Sequence, residues 1–112
     1  MSQVTTHILD TTIGKPAAGV TIILSKGEND EWRELARGKT NSDGRISDLL
    51  SKEMILETGI YKLRFETKDY FDREGIPGFY PYVEIVFDIR NAEHYHVPLL
   101  LNPYGYSTYR GS

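Results

Sequence analysis

The chain contains no cysteine. That removes disulfide frameworks, thiol nucleophiles and thiolate metal sites together. It also lacks any long apolar run: none, Val97 to Leu101 included, approaches the roughly 18 residues that cross a bilayer. The first nine residues show no basic stretch followed by an apolar core, so no secretory leader is read there. These features lead us to expect a soluble, cytoplasmic protein. Charge of one sign is missing as well. Thirteen basic and 16 acidic residues lie scattered to a net −3, without the basic stripe that marks a nucleic-acid partner. Histidine is scarce, with only three, and tryptophan occurs once.

What remains is a chain of 112 residues, 39% hydrophobic and rich in tyrosine. A chain of this length forms one domain, residues 1–112, and buries about two thirds of its unfolded surface. It is too small to enclose a large ligand cavity as well. Alternation with period two dominates, the pattern of half-buried strands. Between Gly59 and Thr67, Tyr61, Leu63 and Phe65 oppose Lys62, Arg64 and Glu66. Between Tyr82 and Ile89, Val83, Ile85, Phe87 and Ile89 oppose Tyr82, Glu84, Val86 and Asp88. Val20 to Ser25 and Tyr95 to Leu101 read as two further strands. Weaker strands are expected at Thr5 to Asp10, Trp32 to Ala36, Met54 to Leu56 and Tyr106 to Arg110. Clusters of Gly, Pro, Asn and Asp separate them. A single helix fits, about two turns within Lys68 to Glu74, expected as a surface crossover. Seven or eight short strands in this length predict an all-β, two-sheet sandwich.

The candidate chemistry is carried by few residues. Residues i and i+2 of a strand face the same side, which places His94 and His96 about 7 Å apart. Parity puts Tyr95, Val97, Leu99 and Leu101 on the core face and His96, Pro98 and Leu100 on the outer one. An outer face bearing Pro98 and Leu100 is expected to be covered, for instance at an oligomer interface. On the first strand, His7 shares a face with Thr5 and Leu9, opposite Ile8. Arg45 follows Asp43-Gly44, a pair suited to a tight turn that presents the next side chain at the start of a short strand. Each also has a plainer reading, as an exposed strand histidine or a surface arginine weakly paired with Asp43 or Asp48. His7, His94 and His96 would make a three-nitrogen zinc site with one open position, although no carboxylate is placed to complete it. A Ser-His-Asp triad is disfavoured, because Ser112 is the terminal residue and no other serine sits in a strand-to-helix elbow.

The chain ends Tyr109-Arg110-Gly111-Ser112, too rich in groups that need partners to be a free tail. With His94-Tyr95-His96-Val97-Pro98-Leu99-Leu100-Leu101, with His7-Ile8-Leu9-Asp10-Thr11 and with the Asp43-Gly44-Arg45 turn, it resembles the transthyretin-like 5-hydroxyisourate hydrolases. The terminal segment separates these enzymes from vertebrate transthyretin, the hormone carrier on the same fold. The resemblance implies metal-free, cofactor-free hydrolysis of 5-hydroxyisourate in urate breakdown. It implies His7, Arg45 and His96 as catalytic residues, with His7, Arg45, Tyr109 and Ser112 binding substrate. His94 and Arg110 would support them; no required metal is expected, and whether zinc binds adventitiously at His94/His96 is left open by the sequence. It implies a homotetramer, a dimer of dimers, with sites in a channel between subunits, and no nucleic-acid or membrane partner. The alternative is a non-catalytic carrier of a small aromatic ligand.

Overall fold

The structure, a computed structural model, describes residues 2–112. Its strands are β1 (Val4–Asp10), β2 (Lys15–Pro16), β3 (Thr21–Glu28), β4 (Glu31–Lys39), β5 (Arg45–Ile46), β6 (Gly59–Phe65), β7 (Val83–Ile89), β8 (Tyr95–Asn102) and β9 (Gly105–Thr108), with one helix, α1 (Thr67–Glu74), between β6 and β7. They form two sheets. One runs β2-β1-β8-β9 with β5 also paired to β1, and the other runs β4-β3-β6-β7. This is the expected sandwich.

The alternation settles which face each strand buries. Tyr61, Leu63 and Phe65 of β6 are essentially inaccessible, as are Leu99 and Leu101 of β8 and Val83 and Ile89 of β7. Burying one such side chain contributes about 1.5–3 kcal/mol, so a strand slipped by one residue would forfeit several of these at once. The pairing that matters for the site is β1 with β8, the only parallel pair among the described strands. It sets Thr5 beside His96 and His7 beside Pro98.

Three expectations need correction. Met54 to Leu56 is not a strand but part of a long connection from β5 to β6. Its backbone donors find other partners: Met54 N–H bonds Ser51 O at 3.1 Å, and Leu56 N–H bonds the Gln3 side-chain Oε1 at 2.8 Å. Leu49 and Leu50 of the same connection plug the core. The helix is two turns long as expected, yet it is not merely a surface crossover. Tyr70 and Phe71 are buried, and the Tyr70 hydroxyl donates to Asp10 Oδ2 at 2.8 Å. Desolvation and this acidic neighbour push the Tyr70 phenol well above its usual range, so it stays a donor. Left-handed Gly75 ends the helix, with the Ile76 N–H bonded to Phe71 O at 3.0 Å. Third, the outer face of β8 is covered more than parity alone suggested. Pro98 is buried within the single chain and Leu100 is half-buried.

The covering element is the C-terminus. Strand β9 ends at Thr108, short of the expected Arg110, but the chain returns to β8 at an isolated bridge between Gly111 and His96. The Gly111 N–H donates to His96 O at 2.8 Å, and Thr108 Oγ1 donates to Pro98 O at 2.7 Å.

Candidate active site

One turn and the C-terminal tail place the candidate groups. Asn41 closes the first: its Oδ1 accepts from the N–H of Asp43 at 2.9 Å and of Arg45 at 3.1 Å. Gly44 sits in that turn at φ +72°, where a Cβ would stand 2.5 Å from the Ile8 carbonyl oxygen and 2.9 Å from Pro16. Only glycine fits. The turn therefore lies flat against β1, its Gly44 carbonyl accepting from Ile8 N–H at 2.8 Å, and β5 emerges with Arg45 directly opposite His7. Arg45 is exposed, and none of the ion pairs among the described residues includes it. Its charge is free to act on what enters the site. The expected weak pairing with Asp43 or Asp48 is absent from those pairs.

The second device is the tail. At Gly111 a Cβ would stand 2.6 Å from His96 Cδ2 and 3.2 Å from Pro98 Cγ. A side chain there would lift the terminus off the imidazole. Arg110 holds the tail from the other side: its guanidinium lies 4.3 Å above the Tyr95 ring and donates to His94 O at 3.2 Å and Glu93 Oε1 at 3.3 Å.

These elements surround an open recess of about 230 Å³ whose walls include Thr5, Arg45, Ser47, His94, His96 and Ser112. His7 stands two residues further along β1, between Arg45 on one side and Pro98 on the other. Both half-buried histidines have lowered pKa values. For His96 the cause is first burial, then the Arg45 charge, then His94 and His7. For His7 it is burial and then Arg45, with Asp43 pulling the other way. Below the ordinary 6.5, a lowered pKa leaves more of each ring neutral near pH 7 and able to accept a proton.

The structure thus brings Arg45, His94, His96 and Ser112 around one space, with His7 beside it. It does not bring Tyr109 there. Tyr109 is 58% exposed and lines a different recess of about 380 Å³, with Val86, Arg90, Tyr95 and Thr108, along the open edges of β7 and β9. Among the described residues no group of three His, Asp or Glu side chains is arranged to hold a metal ion. His94 and His96 instead direct one ring nitrogen each at the same hydroxyl. That hydroxyl, Thr5 Oγ1, lies 2.8 Å from His94 Nε2 and 2.8 Å from His96 Nδ1. Sequence reasoning passed over Thr5. Its parity with His7 was visible, but its neighbour across the sheet was not.

A two-sheet sandwich with a histidine–arginine recess on one outer sheet face defines a transthyretin-like β-sandwich protein. Comparison with known proteins agrees: residues 4–111 match the model of the HIUase/Transthyretin family, and the chain belongs to that family. A mouse 5-hydroxyisourate hydrolase is 48% identical over 114 residues, spanning 99% of this chain and 96% of that protein. The structure of Klebsiella pneumoniae 5-hydroxyisourate hydrolase superposes with a TM-score of 0.86 at 40% identity, covering 97% of this chain and 98% of the other. Sea bream transthyretin in complex with thyroxine superposes with a TM-score of 0.90 at 32% identity, covering 97% and 94%. Backbone likeness therefore does not separate enzyme from carrier, and the side chains must. No helix among the described residues is long and apolar enough to cross a membrane.

Proposed function

We propose that this chain hydrolyses 5-hydroxyisourate to 2-oxo-4-hydroxy-4-carboxy-5-ureidoimidazoline, a step of urate degradation. One observation carries the reading beyond family membership: a neutral-leaning imidazole, an unpaired guanidinium and the chain terminus share one recess. Opening a cyclic amide requires a base for water, positive charge where the oxyanion develops, and an acid for the leaving nitrogen. His7 and His96 act on the attacking water and the proton transfers. Arg45 binds the ring oxygens with its planar fork and stabilises the oxyanion. Ser112 lines the pocket, His94 backs His96, and Arg110 keeps the tail in register.

The recess of about 230 Å³ is open and smaller than the roughly 300–1,000 Å³ usual for small-molecule sites. A site completed by a second subunit answers this, and it gives Tyr109 a place in a neighbour's pocket rather than its own. The assembly we propose is a homotetramer, a dimer of dimers. Support comes from the exposed Phe79, Val86, Tyr104, Tyr106 and Tyr109 and from the open edges of β7 and β9, which a monomer leaves uncovered.

The carrier reading retains one favouring observation, the superposition on thyroxine-bound transthyretin. A carrier has no use for two histidines held near neutrality beside an unpaired arginine. The test is direct. Urate oxidised in situ produces a transient ultraviolet-absorbing intermediate, and the purified protein should accelerate its decay in proportion to enzyme concentration. Decay at the uncatalysed rate would leave the carrier.

A further inference from the structure

The Thr5 hydroxyl is placed where neither ring can do without it. It lies 2.8 Å from one nitrogen of each of His94 and His96, and those rings stack 24° from parallel with centroids 6.3 Å apart. A hydroxyl has one proton to give. When it donates to one imidazole it must accept from the other, which ties the tautomers of His94 and His96 together. His94 is exposed, whereas His96 is half-buried beneath the tail.

The geometry points to Thr5 as a positioning residue that makes His94–Thr5–His96 a proton relay between the recess and solvent. This rests on the hydrolase reading above. Two arrangements alternate. In the first, His96 Nδ1–H donates to Thr5 Oγ1, Thr5 donates to His94 Nε2, and His96 Nε2 is bare. When Nε2 takes a proton from the attacking water, the Nδ1 proton moves to Thr5 Oγ1 and the Thr5 proton moves to His94 Nε2. His94 then releases its Nδ1 proton to solvent. His96 is left neutral with its proton on Nε2, the form that donates to the leaving ring nitrogen. As it donates, the protons step back: Thr5 to His96 Nδ1, His94 Nε2 to Thr5, and a solvent proton onto His94 Nδ1. No net charge stays on the relay, and one nitrogen serves as base and then acid. Accumulating charge on His96 would be costly where it sits, half-buried with Arg45 on β5, His94 just before β8 and His7 on β1 all opposing a positive ring.

The test compares Thr5→Val, which keeps the branched shape and removes the hydroxyl, with Thr5→Ser, which keeps the hydroxyl. Thr5→Val should lower kcat about tenfold or more with KM little changed. This is less than the roughly 10⁴-fold loss when a charged orienting group in a triad is changed, because a hydroxyl is neutral. Thr5→Ser should stay within about twofold. A second readout needs no turnover: nitrogen-15 spectra of the imidazoles in the free protein. In the wild type, the His94 and His96 tautomers should be correlated, and in Thr5→Val each should be independent of the other. Independent tautomers in the wild type, or a Thr5→Ser loss as large as that of Thr5→Val, would overturn the relay. An inactive wild type with coupled tautomers would instead overturn the hydrolase reading and leave the relay standing.

Discussion

Close contact between the tail and His96 can be tested with a single methyl group, by Gly111→Ala. The added Cβ would stand 2.6 Å from His96 Cδ2 and 3.2 Å from Pro98 Cγ, against about 3.5–4.0 Å for carbon atoms at optimal separation. Relief requires a shift of about 1 Å, either of the imidazole or of the terminal backbone. Yielding by the backbone stretches the 2.8 Å bond from Gly111 N–H to His96 O. A typical hydrogen bond contributes about 0.5–1.5 kcal/mol net, so the fold should lose no more than that. For a domain near this size, ~1 kcal/mol moves Tm by roughly 4–8 °C. Catalysis is far less tolerant, because a misplacement of about 1 Å can cost about 100-fold. Gly111→Ala should therefore fall about 100-fold in kcat/KM while Tm drops by several degrees at most. Turnover would be followed by decay of 5-hydroxyisourate and Tm by calorimetry. Wild-type turnover would refute the claim that close contact of the terminus with His96 sets the site. A collapse of Tm by some 20 °C would show the tail to be part of the fold instead.

Other outcomes follow from the same geometry. His7→Ala and His96→Ala should each lower kcat by about 100-fold or more, with non-additive losses in the double variant and near-normal melting. Arg45→Ala should raise the pKa of both His7 and His96 in an NMR titration, because one cause of their lowering is removed. Between the lowered folded values and the ordinary 6.5, the unfolded chain binds more protons than the folded one. Stability should thus fall as pH falls through that window, and fall less in Arg45→Ala. Tyr70→Phe removes the donor to buried Asp10 and should destabilise by about 1–3 kcal/mol, seen as a lower urea midpoint with unchanged slope. Light scattering at micromolar concentration should give four times the 12.8 kDa chain mass, and a monomeric mass would count against a site shared between subunits.

Much of this protein is legible in the chain because its cause is local. Period-two alternation identified β6, β7 and β8 and the side chains each turns inward, since a strand's parity follows from backbone geometry alone. The Asp43-Gly44-Arg45 turn and the weight of the terminal four residues were legible for similar reasons. Where local pattern was thin, the reading failed. Met54 to Leu56 looks like a strand, but its backbone finds a glutamine side chain 53 residues away rather than a ladder. Tyr70 and Phe71 lie in a helix too short to show a periodic face, so their burial could not be read ahead.

Tertiary structure alone decided who meets whom. Parity placed Thr5 and His7 on one face and His96 on another strand's outer face, but no residue announces that β1 and β8 run parallel with Thr5 beside His96. Nor does any local feature require glycine at position 111. That requirement exists only because the terminus continues past β9 along β8 and lies against an imidazole. Strand identity is a property of neighbouring residues and their backbone angles. Register between strands some 90 residues apart is set by the packing of the entire core, and the site is built from register.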